Sequence, residues 1–273
     1  MQVVILGSGS PLPDAERAGP STLVRTSIGD VLIDCGRGVL MRAAAAGTSA
    51  GALTALLVTH LHSDHITDLN DVITTRWILS FAPSPLSVFG PPGTAAVVEG
   101  IEATLAFDIG YRLAHHEDLT WPPPTSVVEV DSGDVLCDRA VRITSARTAH
   151  APVHHSLAFR VDDGDSSVVV AGDTVPCASL DELCDGADVL VHTAVRRDLI
   201  EAFGLARLSD VLDYHSSVPD AASTAARAGV RTLVLTHLVP APGPGAEAAW
   251  LDQAASGFGG EVLVASDLLR VEV

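Results

Sequence analysis

Apolar positions along this chain fall into short unbroken runs of four or five residues, separated by Ala-rich stretches and by Gly/Pro turns. Short runs rich in Val, Leu and Ile are the pattern of strands buried on both faces. Strands are therefore predicted at 3–6, 31–34, 55–59, 86–89, 141–145, 157–161, 167–171, 189–192, 232–236 and 262–265. The Ala-rich stretches predict helices after Gly38, His65, Gly93, Ala178, Ser216 and Gly245. Ser217, Pro219 and Asp220 ahead of 221–228 form a helix start, and Gly229 is its stop. Asp162, Asp163, Gly164 and Asp165, lying between two apolar runs, predict a hairpin turn. Pro122 to Pro124 read as a stiff spacer and 240–245 as a loop. No linker, composition shift or short repeat divides the chain. The reading is one α/β domain over residues 1–273, with strands in both halves interleaved with helices.

Composition narrows the class. A chain of 273 residues with 47% hydrophobic residues buries enough surface to fold without disulfide staples, and is not disordered. Residues 1–6 lack a basic leader and read as a first strand rather than a signal peptide. No apolar run approaches the roughly 20 residues of a membrane helix. Cys35, Cys137, Cys177 and Cys184 form no close pair, the pattern of reduced, mostly buried thiols in a cytoplasmic protein. All 16 basic residues are Arg, which excludes a Lys nucleophile, a Schiff base and a P-loop. The net charge of −18, with no basic cluster beyond Arg196-Arg197, argues against general DNA binding. Gly7-Ser8-Gly9 opens like a dinucleotide loop, but Leu12 stands where the third Gly belongs and Pro11 breaks the helix.

The chemistry concentrates in His60-Leu61-His62-Ser63-Asp64-His65, directly after the predicted strand 55–59. His60 and His62, two apart, share a face if the strand continues, while Asp64 and His65 at a helix start are free to turn to a second ion. Imidazole and carboxylate donors suit Zn²⁺, Mn²⁺ or Fe, and the lack of nearby thiolates argues against a structural zinc knuckle. His150, Asp173 and His237 each sit where an apolar run meets a loop, the place where open α/β folds hold their sites. Taken singly, Asp173 also reads as a helix cap and His237 as a surface histidine. Arg17 reads as a surface salt bridge or a contact to substrate phosphate. His115, His116, His154 and His155 read as loop residues.

Several motifs occur in order. They are Leu6-Gly-Ser-Gly-Ser-Pro11, Leu32-Ile-Asp34-Cys-Gly36, the His60–His65 stretch, Gly90-Pro-Pro-Gly-Thr94, Ala171-Gly-Asp-Thr174, His215-Ser216 and Leu235-Thr-His237. Together the sequence resembles the metallo-β-lactamase superfamily, in particular its ribonuclease Z branch and the mycobacterial and other actinobacterial members. The resemblance implies an αββα sandwich with two metal ions at one edge of the sheets. It implies that His60, His62 and His150 hold one ion, that Asp64, His65 and His237 hold the other, and that Asp173 bridges them. It further implies Asp64 as proton acceptor, His215 at the scissile phosphate or leaving group, Asp34 orienting a ligand histidine from behind, and a homodimer.

Two departures stand out. Where the branch has His-Glu-Ala-Thr, this chain has His192-Thr193-Ala194-Val195, so the carboxylate that would orient the equivalent of His215 is Thr193. The interval from His150 to Asp173 is too short for the basic arm that clamps tRNA, and the insertion-like 101–128 carries a single Arg112. The expected function is a dinuclear metal-dependent hydrolase, a phosphodiesterase acting through a metal-bridging hydroxide on a small diester or RNA. Alternatives are a tRNA 3′-processing endoribonuclease, a hydrolase of thioesters, lactones or sulfate esters, and a non-catalytic metal-binding scaffold.

Overall fold

The computed structural model describes residues 1–243 and 245–273. Its strands are β1 (Gln2–Gly7), β2 (Ser21–Thr26), β3 (Gly29–Ile33), β4 (Leu53–Leu57), β5 (Leu86–Gly90), β6 (Thr125–Glu129), β7 (Gly133–Asp138), β8 (Val141–His150), β9 (Val153–Asp163), β10 (Ser166–Ala171), β11 (Val189–Val195), β12 (Thr232–Val239), β13 (Glu261–Val264) and β14 (Leu269–Glu272). They form two seven-stranded sheets, ordered β14-β1-β2-β3-β4-β5-β6 and β13-β12-β11-β10-β9-β8-β7. The helices are α1 (Val39–Ala46), α2 (Ser63–Ile66), α3 (Leu69–Ile78), α4 (Thr94–Thr104), α5 (Ala106–His115), α6 (Ala178–Cys184), α7 (Arg197–Ala202), α8 (Ala206–Ser209), α9 (Val218–Ala228) and α10 (Glu247–Ala255).

Strand alternation builds the layers. Val3 and Ile5 of β1 pack into a central core with Phe159 and Val161 of β9 and Val189 and Val191 of β11. Val4 and Leu6, one residue out of step, face the opposite way and pack with Val39 and Ala43 of α1 and Val72 of α3. On the second sheet Val169, Leu190 and Leu233 meet Leu180 of α6, Ala225 of α9 and Trp250 of α10. Each sheet is thus buried on both faces, which explains the unbroken apolar runs, and the layer order is αββα.

Every strand predicted from the sequence is present, with ends shifted by up to five residues. β9 and β10 form the hairpin predicted around Gly164, with Ser166 paired to Asp163. α9 opens on a reciprocal capping box between Ser217 and Asp220 and stops at left-handed Gly229. β2, β6, β7 and β14, and helices α5, α7 and α8, go beyond the prediction. His154 and His155 lie on β9 and His115 in α5, rather than in loops. Of the predicted loop at 240–245, Pro244 lies outside the described residues. Two of the four thiols, Cys35 and Cys184, are buried, whereas Cys137 is exposed and Cys177 is intermediate.

Candidate metal centre

The site lies at one edge of the sandwich. β3 and β4 run parallel in the first sheet, and β10, β11 and β12 in the second, so their carboxyl ends point the same way within each sheet. Asp34 follows β3, His60 and His62 follow β4, Asp64 and His65 sit in α2, and Asp173 follows β10. His150 ends β8, and His237 lies near the end of β12. β4 stops at Leu57, so His60 and His62 project from an extended loop and not from a continued strand.

These side chains converge. Asp173 Oδ2 lies 3.2 Å from His215 Nε2, 3.4 Å from His237 Nε2 and 3.5 Å from His65 Nε2. It is 3.8 Å from His60 Nε2 and 3.9 Å from His150 Nε2. His62 Nδ1 faces both His60 Nε2, at 3.0 Å, and His150 Nε2, at 3.3 Å. Asp64 Oδ2 lies 3.3 Å from His237 Nε2 and 3.6 Å from His65 Nε2. Three groupings have all donor atoms within 4.8 Å of one another: His60, His62, His150 and Asp173; Asp64, His65 and His237; and Asp173, His215 and His237.

The far side of each ring fixes which nitrogen is a free base. His65 Nδ1 donates to Asp34 Oδ2 at 2.7 Å, and His150 Nδ1 donates to the Tyr214 carbonyl at 2.8 Å. His215 Nδ1 donates to the Val211 carbonyl at 3.0 Å. Because those acceptors carry no proton, the Nδ1 hydrogens are committed and each Nε2 is the nitrogen turned into the site. Asp34 also accepts from the Thr59 amide and hydroxyl, both at 2.8 Å, and so ties β3 to the loop that carries His60. Thr193 gives His215 no hydrogen bond: its buried hydroxyl has no partner, and the Val211 carbonyl does the orienting instead. Thr193 lines a void of about 20 Å³ beneath the site, shared with Asp34, His65, Thr236 and His237.

Electrostatics fit cation binding. Burial and the neighbouring imidazoles press His60 well below the ordinary histidine range, and burial lowers His62. Burial takes His150 down to about 4. These three rings are neutral donors at pH 7, the form that coordinates metal. Burial disfavours charge on Asp173, yet the surrounding imidazoles outweigh it and hold the carboxyl well below its usual value. For Asp64, burial is likewise overcome, by the hydrogen bond from His237 and the charge of His65. His65 Nε2 and Asp173 Oδ1 are buried without a hydrogen-bond partner. Buried polar atoms left unpaired are costly unless something else binds them. The donor set, all nitrogen and oxygen, fits divalent cations such as zinc.

Two backbone features hold this packing. Asp34 and His237 both adopt left-handed φ, at 59° and 50°, unusual for residues with a side chain. Gly172, beside Asp173, leaves no space for a Cβ, which would lie 2.7 Å from both the Leu157 carbonyl oxygen and Thr59 Cβ. Arg17 forms neither the expected salt bridge nor a projection into the site. It donates to Ser8 Oγ at 2.7 Å and to the Ala265 carbonyl at 2.8 Å. Asp173 caps no helix, since α6 begins at Ala178 behind N-cap Cys177.

Comparison with known proteins gives the class and then the family. A family profile described as the beta-lactamase superfamily domain matches residues 30–238. The chain is 55% identical to a protein named ribonuclease Z from Mycolicibacterium gilvum, covering all of this chain and 96% of the relative. It is 54% identical to a ribonuclease Z from Mycobacterium bovis BCG, covering all of this chain and 98% of the relative. Among solved structures, the metallo-β-lactamase fold protein YhfI from Bacillus subtilis superposes with TM-score 0.78 at 24% identity, covering 100% of this chain and 98% of that one. The short form of human tRNase Z superposes with TM-score 0.74 at 24% identity, covering 100% and 99%. The chain belongs to the beta-lactamase superfamily of metal-dependent hydrolases and, within it, to the family of the ribonuclease Z relatives.

Proposed function

We propose that this chain is a dinuclear metal-dependent phosphodiesterase of ribonuclease Z-like type. The observation that carries the reading is the crowding of five imidazole Nε2 atoms within 3.9 Å of one buried carboxylate oxygen of Asp173. His60, His62 and His150 are the proposed ligands of one ion, Asp64, His65 and His237 of the other, and Asp173 of both. A pair of divalent cations held there, with zinc the proposed metal, would supply an acidified water and charge neutralisation for the attacked and leaving oxygens.

The remaining steps belong to the protein. Asp64, held ionised and lining the cleft, accepts the proton released by the attacking water. His215 lines the same cleft, with Nδ1 locked by the Val211 carbonyl, so its Nε2 is the proton carrier toward the leaving oxygen. Burial works against a proton on His215, but its hydrogen bond to Asp173 and that carboxylate's charge raise its pKa.

A tRNA 3′-processing activity is a second reading, favoured by the name of the relatives. Against it, β9 and β10 fill the whole interval from His150 to Asp173, leaving no arm there. The 101–128 segment holds the end of α4, all of α5, a loop and the start of β6, and Arg112 of α5 is paired to Asp108 at 2.8 Å. α5 exposes Phe107 and Tyr111 on one face, which supports a homodimer as the working assembly. Among the described residues no helix is long and apolar enough to cross a membrane. The four unpaired cysteines support a cytoplasmic location.

The zinc-loaded protein should be assayed with bis(p-nitrophenyl) phosphate and with a pre-tRNA. Turnover of the diester, abolished by chelator, with the pre-tRNA left intact, is the expected result. Specific cleavage at the tRNA 3′ end would establish the second reading, and activity confined to thioesters, lactones or sulfate esters would overturn both.

A further inference from the structure

The proposed ions would lie at the floor of a cleft of about 590 Å³, and the rest of that cleft is built from a different kind of residue. Its floor is formed by His62, Asp64, Asp173, His215 and His237, while its walls carry Leu12, Ile200, Phe203, Leu205, Leu208 and Val239. Beyond the floor, the one charged side chain in the lining among the described residues is Asp14. Among the described residues no arginine lines it. Arg17 is turned onto Ser8 and Ala265, and Arg196 is buried and paired to Asp198 at 2.7 Å. Arg197 pairs outward with Glu201.

The apolar wall is held in place from behind. Val195, Ile200 and Leu212 form a small buried cluster, packed by Leu208, Val211 and Val239, which anchors α7 and α8 to the ends of β11 and β12. In front of that cluster Leu12, Phe203 and Leu205 remain 75%, 57% and 61% exposed. Large apolar side chains held in water at the mouth of a reactive site mark a surface that a ligand covers. A polynucleotide crossing this wall would bring one negative charge per nucleotide against apolar side chains and an aspartate, with the exposed Arg207 of α8 as the one cation beside it among the described residues. A neutral apolar group would instead release water from both surfaces.

Resting on the hydrolase reading above, we infer that this cleft selects a small ester carrying an uncharged aromatic or aliphatic arm, with Phe203 and Leu205 as specificity-determining residues. The charged reacting group sits on the floor, and the arm extends along α7 and α8. Covering one such arm favours the ligand by about tenfold or more over a methyl group in its place.

Two measurements test this on the zinc-loaded protein. Calorimetry compares benzylphosphonate with methylphosphonate, which are not turned over. The benzyl compound is expected to bind at least about tenfold more tightly, and the ratio to fall toward one in the Phe203→Ala/Leu205→Ala double variant. Circular dichroism of the variant checks that it is folded. In parallel, kcat/KM is compared for bis(p-nitrophenyl) phosphate and methyl p-nitrophenyl phosphate, which share a leaving group. The aryl-to-methyl ratio is expected to fall in the variant by a similar factor. Equal affinity of the two phosphonates for the wild-type protein would overturn the inference, as would an unchanged ratio in the variant. An aryl preference in binding without turnover of either diester would sustain the cleft's selectivity and sink the phosphodiesterase reading.

Discussion

Asp34 carries more of the site than any other residue outside the proposed ligands. It occupies a left-handed backbone conformation, and its two oxygens accept three hydrogen bonds, from the Thr59 amide, the Thr59 hydroxyl and His65 Nδ1. An amide in its place keeps the shape but offers only one acceptor oxygen, so either Thr59 or His65 loses its partner. Asp34→Asn is expected to weaken zinc affinity by about 10- to 100-fold while the circular dichroism spectrum stays native. Competition with a chromophoric chelator measures this, and an unchanged affinity would remove Asp34 from the site's support. The Asp64 and histidine cluster was legible as a motif, because so many imidazoles in six residues have no structural reason to be there. The hold on His215 was not legible. It comes from the Val211 carbonyl, and a backbone acceptor leaves no trace in residue identity. The same holds for His150 and the Tyr214 carbonyl.

At the level of elements, most strands that the sequence announced are buried on both faces, such as β4 and β10–β12, with the edge strand β13 announced by its Val262-Leu263-Val264 run. Those it did not announce differ in their surroundings. β6, β7 and β14 lie at sheet edges and are partly exposed, so polar residues interrupt their apolar positions. β2 is central in its sheet but opens with Ser21 and Thr22, which are buried near the site's underside. The β10–α6 junction is where element packing and chemistry meet most tightly. Gly172 lets the chain pass between Leu157 and Thr59 and delivers Asp173 to the centre. Gly172→Ala forces those backbones apart, and overpacking of this kind costs about 1–3 kcal/mol. Denaturant titration is expected to show that loss, accompanied by reduced zinc retention because Thr59 and Asp173 move together. A variant with wild-type stability would show that the junction has slack the packing does not suggest.

Across the whole molecule, two sheets of unlike connectivity bring their strand ends to one edge, and residues from 34 to 237 meet there. That convergence links the two halves of the chain in a single centre. Net charge matters at the same scale. A chain of −18, with ten of its 16 arginines held in local ion pairs, has little field to draw in a polyanion, whereas a concentrated pair of divalent cations would offset the buried carboxylates where it counts. The most direct test is metal stoichiometry. The protein, stripped with chelator, reloaded with zinc and desalted, is analysed by elemental mass spectrometry, with His60→Ala and His237→Ala alongside. The account predicts two zinc ions per chain in the wild type, about one in each variant, and a rise in Tm on reloading. A wild-type chain that retains no zinc, or variants that retain as much as the wild type, would contradict it.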